Sequence, residues 1–139
     1  MTQITSKEFN EILQIEKASY KYFFNSSQLK KALTEFKLLK IIRKNKVIAY
    51  LLYKIEKDKI YVRRIAVSPI FQGRGFATKM MLEIFKIAQK LNLKKIYLYV
   101  RISNKKGIKF YQKLNFLKIR KIKKHYPDGE DAYLMEKEI

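Results

Sequence analysis

The 139-residue sequence contains no cysteine and a single histidine, His125. The absence of cysteine excludes a disulfide scaffold, a thiolate nucleophile, and zinc or iron–sulfur sites built on cysteine. One histidine argues against a histidine-rich metal centre, so we expect no metal. The longest uncharged apolar run, Val47 to Tyr53, is far too short to cross a bilayer, and the N-terminus lacks the pattern of a targeting segment. We therefore expect a soluble, cytoplasmic protein with no membrane partner.

Acidic residues are scarce as well: 12 Asp and Glu stand against 32 Lys and Arg, which gives a formal net charge of +20. Such an excess attracts polyanions such as RNA, anionic lipid or a phosphorylated ligand, without saying which. The chain has 26 lysines and 18 isoleucines, so a coding preference explains the bias equally well. Hydrophobic residues make up 47% of the chain, and we predict one domain spanning residues 1–139.

The first half of the chain has two helical patterns and then three strand patterns. Apolar spacing predicts a helix over 6–19 with Ser6 as its cap, and a short helix from Ser26 or Ser27, with an aromatic loop over 20–24 between them. Runs rich in β-branched and aromatic residues follow, with short turns between them, at 37–43, 46–56 and 60–67. This order predicts an antiparallel meander.

In the second half, a helix over 75–90 is followed by a strand over 95–101. With the preceding strand, this spacing predicts a right-handed parallel βαβ crossover. A helix over 105–114, ended by Asn115 in a left-handed conformation, and strands at 116–123 and 132–137 complete the chain. We therefore predict an α/β fold with a mixed sheet.

A glycine-containing loop joins the crossover strand to its helix. Ile65-Ala66-Val67 lead into Gln72-Gly73-Arg74-Gly75-Phe76-Ala77-Thr78, which opens the helix. Unpaired N–H groups at a helix N-terminus attract phosphate, and glycine lets phosphate oxygens approach the backbone. A tight turn without a ligand explains the glycines equally well. The Walker pattern is absent, and so are the third glycine and the acidic residue of a dinucleotide fingerprint.

Three motifs in register resemble one enzyme family. Gln72-x-x-Gly75-x-Ala77 is similar to the acyl-CoA pyrophosphate loop of the GCN5-related N-acetyltransferase (GNAT) superfamily. The segments 100–104, 110–111 and 114–116 resemble the V-R-x-S-N … L-Y … L-x-F signature of RimI-type protein N-terminal acetyltransferases. The ending from Tyr126 to Met135 is similar to that of RimI and of the catalytic subunits of eukaryotic and archaeal N-terminal acetyltransferases. The resemblance covers residues 60–139 strongly and the first 59 only in element order.

The resemblance implies a GNAT fold with acetyl-CoA as cosubstrate. In that family the pantetheine pairs with the backbone of the first parallel strand, which here is Ile65, Ala66 and Val67. The pyrophosphate would then lie on the amides of the loop from Gly73 to Thr78, preceded by Gln72. Asn104 matches a residue that hydrogen-bonds the cofactor, although a plain helix cap also explains it.

The candidate catalytic residues are two tyrosines. Tyr111 matches the family residue that protonates the leaving sulfur, and a core aromatic role also fits its helix face. Tyr99 replaces the glutamate that accepts a proton in RimI, and a tyrosine with a pKa near ~10 is a poor base. We hypothesise that Tyr99 positions a water or the amine, with Glu16 or His125 closing a proton relay. A substrate amine that is already partly neutral and needs no dedicated base is an equal alternative.

The resemblance implies that the loops 20–24 and 124–129 determine substrate specificity, with Tyr20 and Tyr126 contacting the peptide, although solvated turns with aromatic anchors also explain both loops. The predicted function is transfer of acetyl from acetyl-CoA to the N-terminal α-amine of a nascent chain or ribosomal protein, by direct attack. The basic surface would favour association with ribosomal RNA. The alternatives are acetylation of lysine or small polyamines, and a basic RNA-binding module that has lost catalysis. The sequence does not reveal the oligomeric state.

Overall fold

The structure is a computed structural model, and it describes residues 4–139. Six strands form one sheet in the order β1-β2-β3-β4-β6-β5, accompanied by four α-helices and a short 3-10 helix at Pro69–Phe71. The elements are α1 Ser6–Ser19, α2 Ser26–Glu35, β1 Lys37–Arg43, β2 Lys46–Glu56, β3 Lys59–Val67, α3 Phe76–Lys90, β4 Lys95–Arg101, α4 Lys105–Lys113, β5 Leu117–Ile122 and β6 Ala132–Glu138. The predicted α/β fold with a mixed sheet is confirmed.

The backbone divides into two compact units. The first unit comprises the described residues up to Lys54 together with Val62–Lys86, and the second comprises Ile55–Tyr61 and Ile87–Ile139. A single domain over residues 1–139 stays a prediction. No helix within residues 4–139 is long and apolar enough to span a membrane. In the same range, no group of three His, Cys, Asp or Glu side chains is placed to hold a metal ion.

Reciprocal side-chain caps start α1 and α2. The Thr5 hydroxyl accepts from the Glu8 amide at 3.0 Å, and the Glu8 carboxylate accepts from the Thr5 amide at 3.1 Å. The predicted Ser6 cap is therefore wrong by one residue, because Thr5 is the residue whose partner three positions on is acidic. Asn25 and Gln28 cap α2 in the same way, and α2 begins at Ser26 as predicted.

Strand β2 lies at the centre of the first unit. Its residues Val47 to Tyr53 are all buried, which explains why they form a continuous apolar run. Their partners from the helices include Ile12 and Leu29. The predicted antiparallel hairpin of β1 and β2 is confirmed, and both turn residues, Lys44 and Asn45, have positive φ angles of 51° and 60°.

Alternating burial organises the second unit. On β4 the residues Ile96, Leu98 and Val100 are buried, whereas the odd-numbered residues lie on the opposite face and stay partly exposed. The start of β3 pairs in parallel with β4, as predicted, and β6 pairs antiparallel with both β4 and β5. Asn115 ends the α4 segment at φ 69°, as expected.

Candidate active site

The loop between β3 and α3 is shaped by two glycines in the left-handed region. Gly73 has φ 76° and Gly75 has φ 84°, and a Cβ added at either position would meet no atom within 4 Å. The Gln72 side chain donates from Nε2 to the Val67 carbonyl at 3.0 Å, which ties the loop to the strand end. The loop is thus held in place, with its glycine surfaces open to a ligand.

The start of α3 supplies amide donors to this loop. The first turn of any α-helix has N–H groups without an intrahelical acceptor, and in α3 these begin at Phe76. The helix dipole makes this end electropositive, and no acidic residue lies in the first turn. Arg74 is exposed and its guanidinium lies over the Phe71 ring at 5.3 Å. These donors fit the diphosphate of acetyl-CoA, as the glycine motif predicts.

Tyr20 lies against the backbone of β3. Its hydroxyl donates to the Ile65 carbonyl at 2.6 Å and accepts from the Ile65 amide at 3.4 Å. Burial raises the pKa of the Tyr20 hydroxyl above its ordinary value. The hydroxyl therefore keeps its proton at neutral pH and can donate it to the Ile65 carbonyl. Tyr20 is therefore fixed on one of the strand residues predicted to bind the cofactor.

A buried ion pair anchors the rest of the 20–24 loop. Glu16 is fully buried, and its carboxylate accepts from Arg64 at 2.5 and 3.2 Å, from the Phe24 amide at 2.8 Å and from the Tyr50 hydroxyl. The Arg64 guanidinium also lies 3.9 Å from the Tyr20 ring centre and 4.1 Å from that of Phe24. These four donors give Glu16 a structural role, and its part in the proton relay stays a hypothesis.

Tyr99 and His125, the two other members of that relay, lie together in the second unit. Their rings stack at 4.4 Å between centroids with an interplanar angle of 24°. Tyr61 and Tyr97 meet the Tyr99 ring edge-on at 5.9 and 6.1 Å. The structure therefore brings Tyr99 and His125 into contact through their ring faces, and a relay between them stays a hypothesis.

Arg101 anchors the loop that carries Tyr126. Its guanidinium donates to Asp128 at 2.9 and 3.0 Å and to Glu130 at 2.8 Å, and it lies 4.0 Å from the Tyr126 ring centre. Glu130 also accepts from the Ser103 amide at 3.0 Å. Hydrogen bonds from Arg101 hold the pKa of Asp128 below its ordinary value, and those from Ser103 and Arg101 do the same for the pKa of Glu130.

Tyr111 and Asn104 have clear structural contacts in α4. The Tyr111 ring is buried and packs edge-on against Phe110 and Phe116, with centroids 5.2 and 5.7 Å apart. The Asn104 side chain caps the helix by accepting from the Gly107 amide at 2.9 Å. The structure thus shows Asn104 as a helix cap and Tyr111 as a core aromatic residue, and the roles of both toward acetyl-CoA stay predictions.

A family model described as "Acetyltransferase (GNAT) family" matches residues 1–116. The chain belongs to the GNAT family. As a GNAT protein it is an acetyl-CoA-dependent acyltransferase. An N-alpha-acetyltransferase of Saccharolobus solfataricus is 32% identical, over 95% of this chain and 88% of that protein. A [ribosomal protein bS18]-alanine N-acetyltransferase of Haemophilus ducreyi is 28% identical, over 95% of this chain and 94% of that protein.

Solved structures share the GNAT fold. The ribosomal-protein-S18-alanine N-acetyltransferase of Escherichia coli matches with a TM-score of 0.86 at 22% identity, covering 99% of this chain and 92% of that one. Ard1 from Thermoplasma volcanium matches with a TM-score of 0.84 at 19% identity, covering 99% and 95%. At these identities the likeness concerns the fold alone.

Sequence reasoning missed the two arginines that organise the loops of this GNAT protein. Arg64 is next to Ile65, and Arg101 is part of the V-R-x-S-N motif, yet neither was assigned a partner. A signal was present for Glu16, because its helical position puts a carboxylate on the apolar face of α1. A carboxylate on a buried face needs a charged or hydrogen-bonding partner.

Proposed function

We propose that this GNAT protein transfers the acetyl group of acetyl-CoA to the α-amino group of a protein N-terminus. The observation that carries the proposal is the alignment with the Saccharolobus N-alpha-acetyltransferase, which spans nearly all of both chains at 32% identity. The Haemophilus relative, whose name specifies an alanine N-acetyltransferase of a ribosomal protein, supports the same chemistry.

The residues of the first unit would hold the cosubstrate, whose thioester supplies the activated acetyl group. The open glycines Gly73 and Gly75, with the amides of the first α3 turn, provide donors for a diphosphate. The end of β3 would bind the pantetheine; of the predicted residues Ile65, Ala66 and Val67, Ile65 already bonds the Tyr20 hydroxyl, so Val67 would be the first to pair with the arm. The resemblance further assigns Asn104 a side-chain hydrogen bond to the cosubstrate.

The reaction requires a neutral amine, stabilisation of the developing negative charge on oxygen, and a proton for the leaving sulfur. The amine nitrogen forms a bond to the thioester carbon, and the carbon–sulfur bond breaks. Tyr111 would donate a proton to the sulfur, and an amide near Val67 would stabilise the oxygen. The nitrogen releases one proton to solvent as the amide forms, and a proton from solvent restores Tyr111, so that the net transfer is from nitrogen to sulfur. A protein α-amine with a pKa near ~8 loses its proton far more readily than a lysine side chain with a pKa near ~10.4. An N-terminal substrate therefore has little need of a base such as Tyr99 or His125 to remove that proton.

The test uses peptides that carry a free α-amine and an internal lysine. Each is incubated with acetyl-CoA and the protein, and tandem mass spectrometry locates the acetyl group. We expect acetylation of the α-amine, and a matched peptide with a blocked N-terminus should remain unmodified. Acetyl only on lysine would instead select the lysine or polyamine alternative. Absence of transfer to every peptide would contradict the proposal and favour an RNA-binding role.

We further propose that the protein acts in the cytoplasm close to ribosomes, with its basic surface contacting RNA. Exposed lysines follow one another along α4 at positions 106, 109 and 113, and residues 117–124 carry five cations and no acid. Such a surface releases counterions from RNA, so co-sedimentation with ribosomes should fall steeply as salt rises. Replacing Lys118, Arg120 and Lys121 by glutamate should abolish co-sedimentation, whereas the same change at three exposed lysines of the first unit, 30, 31 and 37, should weaken it less.

A further inference from the structure

The Tyr20 hydroxyl occupies the backbone polar groups of Ile65 on one edge of β3. The N–H and C=O of one strand residue point to the same edge, and successive residues alternate between edges. The Ser68 amide donates to the Ile48 carbonyl on β2 at 2.8 Å, so the even-numbered residues at this end of β3 face β2. Ile65 and Val67 therefore present their polar groups on the other edge, where Tyr20 satisfies both groups of Ile65.

The Tyr20 ring is held there by neighbours that do not depend on a ligand. The Arg64 guanidinium packs on it at 3.9 Å, and Arg64 is itself fixed by Glu16, which is fully buried. The Arg64 side chain is only 11% exposed. Moving Tyr20 off Ile65 would break its two hydrogen bonds to the backbone and its contact with the guanidinium, so the ring forms a fixed wall.

The direction of a bound acyl-CoA follows from the position of the phosphate donors. These donors lie beyond the end of β3, at Gly73 to Phe76, and a pantetheine arm extending from them along the strand reaches Val67 before Ile65. Because the Tyr20 hydroxyl already bonds the N–H and C=O of Ile65, and Gln72 already donates to the Val67 carbonyl, we place the last backbone pairing of the arm at the Val67 amide. The thioester and its acyl chain then come to lie against the Tyr20 ring.

We propose that Tyr20 limits the length of the acyl group, so that the protein accepts acetyl-CoA and rejects longer acyl-CoA thioesters. The inference rests on the proposed use of acetyl-CoA and adds a specificity role for one residue. Tyr20 was predicted only as a peptide contact. An acyl chain extended by two carbons would have to displace a ring fixed by two hydrogen bonds and a buried guanidinium, which close-packed interiors resist.

The test is calorimetric binding of acetyl-CoA, butyryl-CoA and free CoA, measured without peptide. The wild-type protein should bind butyryl-CoA about tenfold more weakly than acetyl-CoA, a typical penalty for added methylenes in a packed site. Tyr20→Ala should reduce this difference to about twofold or less. Tyr20→Leu provides a second truncation that keeps apolar packing, and circular dichroism checks that both variants fold. Tyr20→Phe keeps the ring and its contact with Arg64 but loses both hydrogen bonds to Ile65, so it should discriminate less than the wild type and more than Tyr20→Ala.

Tyr22→Ala is the matched control, because Tyr22 lies in the same loop with half of its surface exposed. It should discriminate between the two thioesters as the wild type does. Equal binding of acetyl-CoA and butyryl-CoA by the wild type would overturn the inference, and so would unchanged discrimination in folded Tyr20→Ala or Tyr20→Leu. Failure of the wild type to bind acetyl-CoA at all is a different result, which would overturn the proposed function together with the inference.

Discussion

Replacing Arg64 by methionine should destabilise the protein strongly. Methionine keeps an apolar side chain of similar length, but it removes the guanidinium that lies over the Tyr20 and Phe24 rings and leaves the Glu16 carboxylate fully buried without its cation. Removal of one partner from a buried ion pair typically costs about 3–5 kcal/mol. Glu16 keeps the donors Phe24 N–H and the Tyr50 hydroxyl, so we expect the lower end, about 3 kcal/mol. A domain stable by about 5–15 kcal/mol would survive this loss.

The measurement is urea unfolding followed by circular dichroism. The midpoint should fall while the slope with urea stays constant, which identifies a change in stability. The double variant Glu16→Gln/Arg64→Met should regain part of the loss, because glutamine still accepts from Phe24 and Tyr50 without a buried charge. Lys31→Met removes an exposed ion pair to Glu35, 3.8 Å long, and should change stability by less than about 1 kcal/mol. A loss from Arg64→Met no larger than that of Lys31→Met would refute the reasoning.

Three further predictions concern the loops and α4. The pKa values of Asp128 and Glu130 are lowered in the folded protein, so these carboxylates stabilise the fold fully above the ordinary carboxyl range near ~4, and this stabilisation is lost as the pH falls below it. Amide hydrogen exchange around Tyr126 should therefore rise at low pH. The double variant Asp128→Asn/Glu130→Gln should remove this pH dependence. Gly75→Ala places a side chain at φ 84° and should cost about 1–3 kcal/mol in urea unfolding and raise KM for acetyl-CoA. Tyr111→Phe keeps the ring contacts but should lower kcat about 100-fold with little change in unfolding midpoint; an unchanged kcat would leave Tyr111 a packing residue.

Local sequence patterns predicted the bounds of the helices and strands closely, because each pattern lies within one continuous stretch of the chain. Strands β1 and β2 have the predicted bounds, since Lys44-Asn45 can adopt the left-handed turn that a two-residue hairpin requires. The Ser6 cap was wrong although the correct signal was visible, because Thr5 and Glu8 form the reciprocal cap. Which of two adjacent hydroxyl residues caps the helix depends on the side chain that lies three positions after it.

The candidate site was less predictable than the fold, since its contacts join distant parts of the chain. Glu16 and Arg64 are 48 positions apart, and no local pattern determines which cation reaches a buried carboxylate. The glycine loop was predictable because phosphate donors come from a short backbone segment. Tyr20 was identified as a loop aromatic, but its bond to Ile65 depends on where the loop lies against β3. Sequence reasoning named candidate residues for the chemistry, which stay predictions, and the structure shows how the loops that carry Tyr20 and Tyr126 are anchored.

The two predicted substrate loops are anchored in similar ways with different exposure. In each case an arginine on a strand packs its guanidinium on a tyrosine ring, Arg64 on Tyr20 and Arg101 on Tyr126, while carboxylates fix its N–H groups. Arg64 is 11% exposed and its Glu16 partner is fully buried, whereas the Arg101 side chain and its carboxylate partners are between 21% and 24% exposed. Solvent screens the second network more strongly and protons reach it more easily. The 20–24 loop therefore has the less exposed anchor, as the proposed limit on acyl length requires, whereas the anchor of the 124–129 loop is more exposed and more sensitive to pH and salt.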